Sequence, residues 1–241
     1  ENEKNKIISE CLKKVKLKLK IIKPKAFFPA GGRYIIYGKY SSLNKFVAQP
    51  HFAKLKNYLK NENYDIFNIE GGYKIYRKDK KNNFLKSREI NKFIFNEDNI
   101  IRTFKMKDYF YSNKFKNIKL KEIDSAYRKS INNYKKILQK FSIKTSWSID
   151  FFIYKNLTIS QNGNIQKKKS EFIKRYNLNN NKNSKSRYTK LKCHLDYNLF
   201  YGLLKRKFVW NTALSGSVIM FDRKPNVFDP NLTFSINFLG C

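Results

Sequence analysis

The chain has 241 residues, of which 52 are Lys or Arg and 18 are Asp or Glu, a formal charge of +34. That balance excludes most enzymes of small metabolites, whose charge lies near zero. An apolar fraction of 41% with 16% aromatics excludes a disordered basic tail, and no apolar run approaches the roughly 18 residues of a membrane helix.

Residues 7 to 25 begin with helical spacing at Ile8, Cys11, Leu12 and Val15, then alternate Lys with apolar residues from Lys14 to Lys20. The alternation predicts a strand with one solvated edge. Pro24 and Pro29 mark a loop, and Ala30-Gly31-Gly32-Arg33 forms a tight segment before a β-like run from Tyr34 to Tyr37. Pro50 opens a short helix with Phe52, Leu55 and Leu59 inward. Strand-like pieces follow at 73–76 and 93–95. From Leu120 to Phe141, apolar residues recur every three or four positions (Ile123, Tyr127, Ile131, Tyr134, Leu138), which predicts an amphipathic helix.

Trp147, Ile149, Phe151 and Ile153 alternate as a strand, and Asn162-Gly163 signals a turn. The lysines at 167–169, with Lys174 and Arg175, are consistent with one basic helical face. After a polar stretch at 177–185, Leu191, Cys193, Leu195 and Tyr197 predict a second strand. A short apolar-basic segment, 198–207, leads to a third strand within 208–221, and Leu232, Phe234, Ile236 and Phe238 form a last alternating run. The expected class is α+β: a small antiparallel or mixed sheet packed on amphipathic helices, with a divergent basic amino-terminal half. The expected division is 1–118, 119–221 and a carboxy-terminal extension, 222–241.

Self-repulsion at +34 weakens a folded chain unless a polyanion is bound. Nucleic acid fits best, because each neutralised phosphate releases a counterion. Residues 11–61 hold 13 cations and no acid, while 151–241 hold 16 cations against 4 acids. So dispersed a charge suits burial in folded RNA better than a single DNA-binding groove. An anionic membrane surface fits less well, since no strongly amphipathic basic helix with a Trp or Leu face stands out. Lys, Asn, Ile, Phe and Tyr supply 134 residues, while Ala, Gly and Pro supply 20, a bias expected of an A/T-rich gene such as organelle genomes and a few nuclear genomes carry. The first ten residues, acidic as well as basic and without Arg, do not read as a transit peptide. Cys11, Cys193 and Cys241 are far apart, which suits free thiols in a reducing compartment better than a zinc site.

Within 120–221, three segments carry a likeness. These are Ile149-Asp150-Phe151-Phe152-Ile153-Tyr154-Lys155-Asn156-Leu157, Leu191-Lys192-Cys193-His194-Leu195-Asp196-Tyr197 and Leu214-Ser215-Gly216-Ser217-Val218-Ile219-Met220-Phe221. In order and approximate spacing they resemble the carboxy-terminal domain of the ribosomal protein S-three family of the small subunit. Its strand ending Gly-Arg-Leu, its Leu-x-x-x-Ile-Asp-Tyr and its Ile-Gly-Val-Lys-Val-Trp-Ile-Phe are the counterparts. Lys155 and Asn156 replace the usual Gly and Arg, and the interval after Asp196-Tyr197 is a few residues long. The family's pattern runs helix, strand, basic helix, strand, short helix, strand. Its KH domain clamps RNA with a G-x-x-G loop, and this chain contains no G-x-x-G.

Candidate RNA contacts are Lys13, Lys14, Lys16, Lys18, Lys20, Lys23 and Lys25 in one acid-free run, and Arg33 and Lys39 near the Gly31-Gly32 turn. Lys167, Lys168, Lys169 and Arg175 form a second group, and Lys205, Arg206 and Lys207 a third. Phe208 and Trp210 beside the last group read as core of the last sheet. Catalysis has little support: two histidines, no P-loop, no H-E-x-x-H, no G-x-S-x-G. The expected function is that of a structural, rRNA-binding, non-enzymatic constituent of a mitochondrial small ribosomal subunit, with rRNA and neighbouring ribosomal proteins as partners. No cofactor, metal, membrane or small-molecule substrate is expected. The alternatives are an organelle intron-type endonuclease or maturase, which would need clustered carboxylates for Mg²⁺, and a lysine-rich scaffold on an acidic protein such as a microtubule lumen.

Overall fold

A computed structural model describes residues 2–29, 35–62, 64–67, 102–103, 108–115, 117–144, 147–178, 189–227 and 229–240, and the backbone of 73–77 and 84–88. The fold is α+β, and the chain forms two compact units. One comprises Glu1–Ile35 and Leu43–Phe104; the other comprises Ile36–Ser42 and Lys105–Cys241. The boundaries expected at 118 and 221 are therefore not those of the compact units. The predicted strand piece at 93–95 and the Gly31-Gly32-Arg33 turn lie outside the described residues. So do positions 179–185 of the polar stretch.

In the first unit, α1 (Asn2–Ile22) replaces the strand expected over 14–20. Period two and period 3.6 both fit that short stretch, but Ile8, Leu12, Val15 and Leu19 extend the earlier four-three-four spacing. That stripe packs on Leu55 and Leu59, with Phe27, Tyr64 and Ile66 at its margin. Lysine and leucine are both good helix formers, so propensity agrees with the longer pattern. The predicted short helix is α2 (Phe52–Tyr58), capped at His51, whose Nδ1 accepts from the Ala53 N–H at 3.4 Å. Strands β1 (Ala26–Phe27) and β2 (Asp65–Ile66) pair in parallel, and β3 (Tyr73–Arg77) pairs antiparallel with β4 (Phe84–Arg88).

Residues 35–37 of the expected β-like run form no strand and lead into a 3-10 helix, Gly38–Phe46, whose residues are divided between the two units at Ser42 and Leu43; the rest of the second unit starts at Lys105. A short helix, α3 (Phe110–Lys114), precedes α4 (Leu120–Lys140), the helix the periodicity predicts. At its start the Lys119 N–H donates to Glu122 Oε2 at 2.8 Å, satisfying one orphan donor of the first turn. A four-stranded sheet then forms from β5 (Ser148–Tyr154), β6 (Phe172–Asn177), β7 (Lys190–Asp196) and β8 (Met220–Lys224), in the order β6-β5-β7-β8. β5 and β7 run parallel in the middle, and β6 and β8 are antiparallel edges.

Three expectations fail here, each for a local reason. Lys167–Lys169 lie in a turn, not on a helix. The β5–β6 hairpin extends through the Ile159↔Ile165 bridge and the Asn162-Gly163 turn, where Gly163 adopts φ 81°. β6 thus stands where the basic helix of the S-three pattern was expected. The third strand is shorter and later than 208–221: α5 (Tyr197–Leu204) and α6 (Trp210–Ser215) come first, and β8 starts at Met220. The final alternating run is a helix, α7 (Pro230–Ile236), because Asp229 caps the Asn231 N–H at 2.9 Å and Pro230 presets the first turn. Its buried residues Leu232 and Ile236 are four apart, and Phe234 between them is exposed.

The core lies on one face of the sheet. Ile149, Phe151 and Ile153 of β5 and Leu191, Cys193 and Leu195 of β7 are buried there. Phe200 of α5 packs on Phe151 at 5.4 Å, Trp210 of α6 packs on it at 5.7 Å, and Tyr127 of α4 meets Tyr176 of β6 at 4.5 Å. Trp210 is a core residue, as read from sequence, but on a helix rather than a strand, and Phe208, in the turn before that helix, is half-buried. Phe208 leaves no room at Gly202, where a Cβ would collide with its ring.

Candidate nucleic-acid interface

Strand alternation sends Asp150, Phe152 and Tyr154 of β5 to the face opposite the core. Their cross-strand partners share that face: Asn177, Arg175 and Phe172 of β6, Lys192 and His194 of β7, and Asp222 and Met220 of β8. Phe152 stacks on His194 with centroids 4.8 Å apart and planes 20° from parallel. Phe172 stands edge-on to Tyr154 at 5.6 Å and lies 6.2 Å from Phe152. A register irregularity between Ile153 and Tyr154 brings Phe172 opposite Tyr154, which places the ring on this face. The Phe172 side chain is 53% exposed.

The polar groups of this face are ordered around the rings. Arg175 donates to Asp150 at 2.7 Å while its guanidinium sits 5.7 Å above Phe152, and Asn177 donates to the other Asp150 oxygen at 2.7 Å. His194 Nδ1 and the Tyr154 hydroxyl share a hydrogen bond of 3.0 Å. Burial lowers the His194 pKa to about 4, against the opposing pull of Asp222 and with help from Lys192 and Lys167. The imidazole is therefore neutral near pH 7 and stacks as an uncharged ring. Lys192 pairs with Asp222 at 2.7 Å.

On the core side of β6, Asp124 accepts from Lys174 and from the Tyr176 hydroxyl, both at 2.7 Å. Burial pushes its pKa up, but these hydrogen bonds outweigh burial and hold it below the usual value.

The predicted cations fall into separate groups. Lys13, Lys14, Lys18 and Lys20 are exposed along α1, and Lys16 pairs with Glu62 at 2.6 Å. Lys23 and Lys25 are exposed just beyond that helix, and Lys23 is in the left-handed region at φ 49°. Arg33 lies outside the described residues. Lys39 is engaged by Asp196, 2.8 and 2.9 Å from its two oxygens. Lys167, Lys168 and Lys169 are exposed in the turn that precedes β6, and Lys167 is near enough to His194 to act on its charge. Lys205 is half-buried and Arg206 and Lys207 are exposed in the turn after α5. The fold thus brings two members of one predicted group, Lys167 and Arg175, to a shared surface.

Asp196 organises the carboxyl ends of the two parallel strands. Besides Lys39, it accepts from the Tyr111 and Tyr40 hydroxyls at 3.0 and 3.3 Å and from the Leu157 N–H at 3.2 Å. Burial and then the Asp196 charge push both tyrosine pKa values far up, so they remain neutral donors. This fully engaged carboxylate has a structural role. Among the described residues, no group of three His, Cys, Asp or Glu is placed to hold a metal ion, and no helix is long and apolar enough to cross a membrane.

Sequence reasoning missed Phe152, Phe172, His194 and Lys192. The available signal was aromatic residues at both parities of one strand, Phe151 and Phe152, which gives rings to both faces.

Compared with known proteins, the chain matches no family model, no curated protein and no solved structure. The functional reading therefore rests on the residues themselves.

Proposed function

We propose that this protein is a structural, rRNA-binding constituent of a mitochondrial small ribosomal subunit, held among rRNA and neighbouring ribosomal proteins and performing no catalysis. The single observation that carries the reading is the charge: 52 cations face 18 acids, so at least 34 cations have no carboxylate of their own. Several of the carboxylates are already committed, Glu62 to Lys16, Asp150 to Arg175 and Asp196 to Lys39. Such a surface needs a dense, permanent source of anions. The cations lie on helix α1, in the hairpin turn and after α5, which agrees with many dispersed phosphate contacts that position a protein without reading sequence. The A/T-coded composition supports an organelle gene, and the sequence likeness of 149–157 and 191–197, both on strands, to the ribosomal protein S-three family supports the small subunit.

Sucrose-gradient sedimentation of mitochondrial extract tests this. The protein is expected to travel with small-subunit particles through moderate salt and to leave them after RNase treatment. Free sedimentation at physiological salt would overturn the proposal.

A further inference from the structure

We infer that the open face of the β6-β5-β7-β8 sheet binds unpaired RNA bases by stacking, so that this surface selects single-stranded over duplex RNA. The inference rests on the RNA-binding reading above and deepens it by naming the form of RNA. Phosphate contacts by dispersed lysines give affinity for any polyanion; they leave the exposed Phe172 ring, at the edge of the aromatic cluster, without a purpose. Phe152, Phe172 and His194 form an aromatic cluster drawn from three strands, with Phe172 more than half exposed, Phe152 and His194 half-buried, and Tyr154 buried beneath them. Bases in a duplex are stacked on each other and show such a surface only their edges, whereas a splayed single strand offers flat π faces.

Charge complementarity fixes the choice of occupant. Lys167–Lys169 stand at the turn, and Lys190, Lys192 and Lys224 lie along β7 and β8, flanking the rings where a backbone would pass. The Arg175 guanidinium, already oriented over Phe152 by Asp150, adds a flat cation at the same place. A neutral His194 stacks with a base without needing a counterion. A purely apolar protein partner would leave these cations desolvated and unpaired, at considerable cost.

The test uses the full chain, a fluorescein-labelled oligouridine and an RNA duplex of equal length, titrated by anisotropy at several salt concentrations. Phe172→Ala is expected to lower oligouridine affinity roughly tenfold, to leave duplex affinity unchanged, and to keep the salt slope, since no phosphate contact is lost. Phe172→Trp should retain binding. Unfolding curves of both variants should overlay the parent. Replacing Lys167, Lys168 and Lys169 together by Ala should weaken both ligands and flatten the salt slope. A 4-thiouridine strand should crosslink to peptides containing Phe152 or Phe172.

Unchanged oligouridine affinity in Phe172→Ala, or crosslinks confined to other peptides, would overturn base stacking while the ribosomal reading stood. Ring-dependent single-strand binding by a protein that never sediments with ribosomal particles would do the reverse.

Discussion

Cys193 and His194 are neighbours in sequence and occupy opposite worlds. On the closed face Cys193 is fully buried among Ile149, Phe151 and Leu195, and burial pushes its thiol pKa well above the ordinary value. On the open face His194 lies against Phe152, Tyr154 and the charges of Lys192 and Asp222. Both faces are aromatic. What separates them is what surrounds the rings: helices α4, α5 and α6 on one, cations and carboxylates on the other. An aromatic residue in a strand therefore says little about stability until its parity is known. The closed face holds the unit together, and the open face is available for work.

That contrast can be broken most directly by truncating one ring on each side. Phe151→Ala should cost about 3–5 kcal/mol in urea unfolding, since it empties a site walled by Phe200 and Trp210. Phe172→Ala, on the open face, should cost no more than about 0.5 kcal/mol. Equal losses would show that the two faces are not distinct.

A smaller effect is expected where the parallel strands end. Asp196→Ala should cost about 2–3 kcal/mol, because the Tyr40 and Tyr111 hydroxyls and the Leu157 N–H lose their acceptor, while half-exposed Lys39 can return to water.

The open face should also announce itself through pH. The folded His194 pKa is about 4 against an ordinary 6.5, so the unfolded chain binds more protons between those values. Its contribution is complete above about pH 6.5 and is lost as pH falls through about 4. The loss should reach roughly 2 kcal/mol at most, after discounting for partial solvent access. His194→Gln should flatten the unfolding free energy over this window; an unchanged slope would mean the imidazole titrates normally. Smallest of all, Asp222→Ala should stay within about 0.5 kcal/mol, because its pair with Lys192 is exposed.

Much of the second unit was legible in the sequence. The stripe from Ile123 to Tyr134 placed α4, and the alternations at 149–153 and 191–195 placed the two central strands. The misread segments share a cause. Over 14–20, 208–221 and 232–238, apolar residues at even spacing satisfy a strand, while the deciding information lay just outside the pattern. Ile8 and Leu12 set the phase of α1, and Asp229-Pro230 gave α7 its start. The candidate face was harder to see, because it depends on which strands become neighbours. Phe152 and His194 are far apart in sequence and meet only because β5 and β7 pair in parallel. The acid-free run 11–61 marked the basic amino-terminal unit correctly as charged, yet its pairing of Lys16 with Glu62 required the fold.

The parallel pairing also imposes an order in time. β5 and β6 are consecutive strands of one hairpin, whereas Ser148 must wait for Lys190 before its other side is occupied. During synthesis the hairpin therefore passes through a stage with a bare strand edge, the kind of template on which nascent chains stick to one another. Lys155 follows β5, Lys167–Lys169 lie in the turn before β6, and Lys174 and Arg175 lie along β6. A half-built sheet of this kind carries more cations than acids, and like charge on two copies disfavours their edge-to-edge pairing.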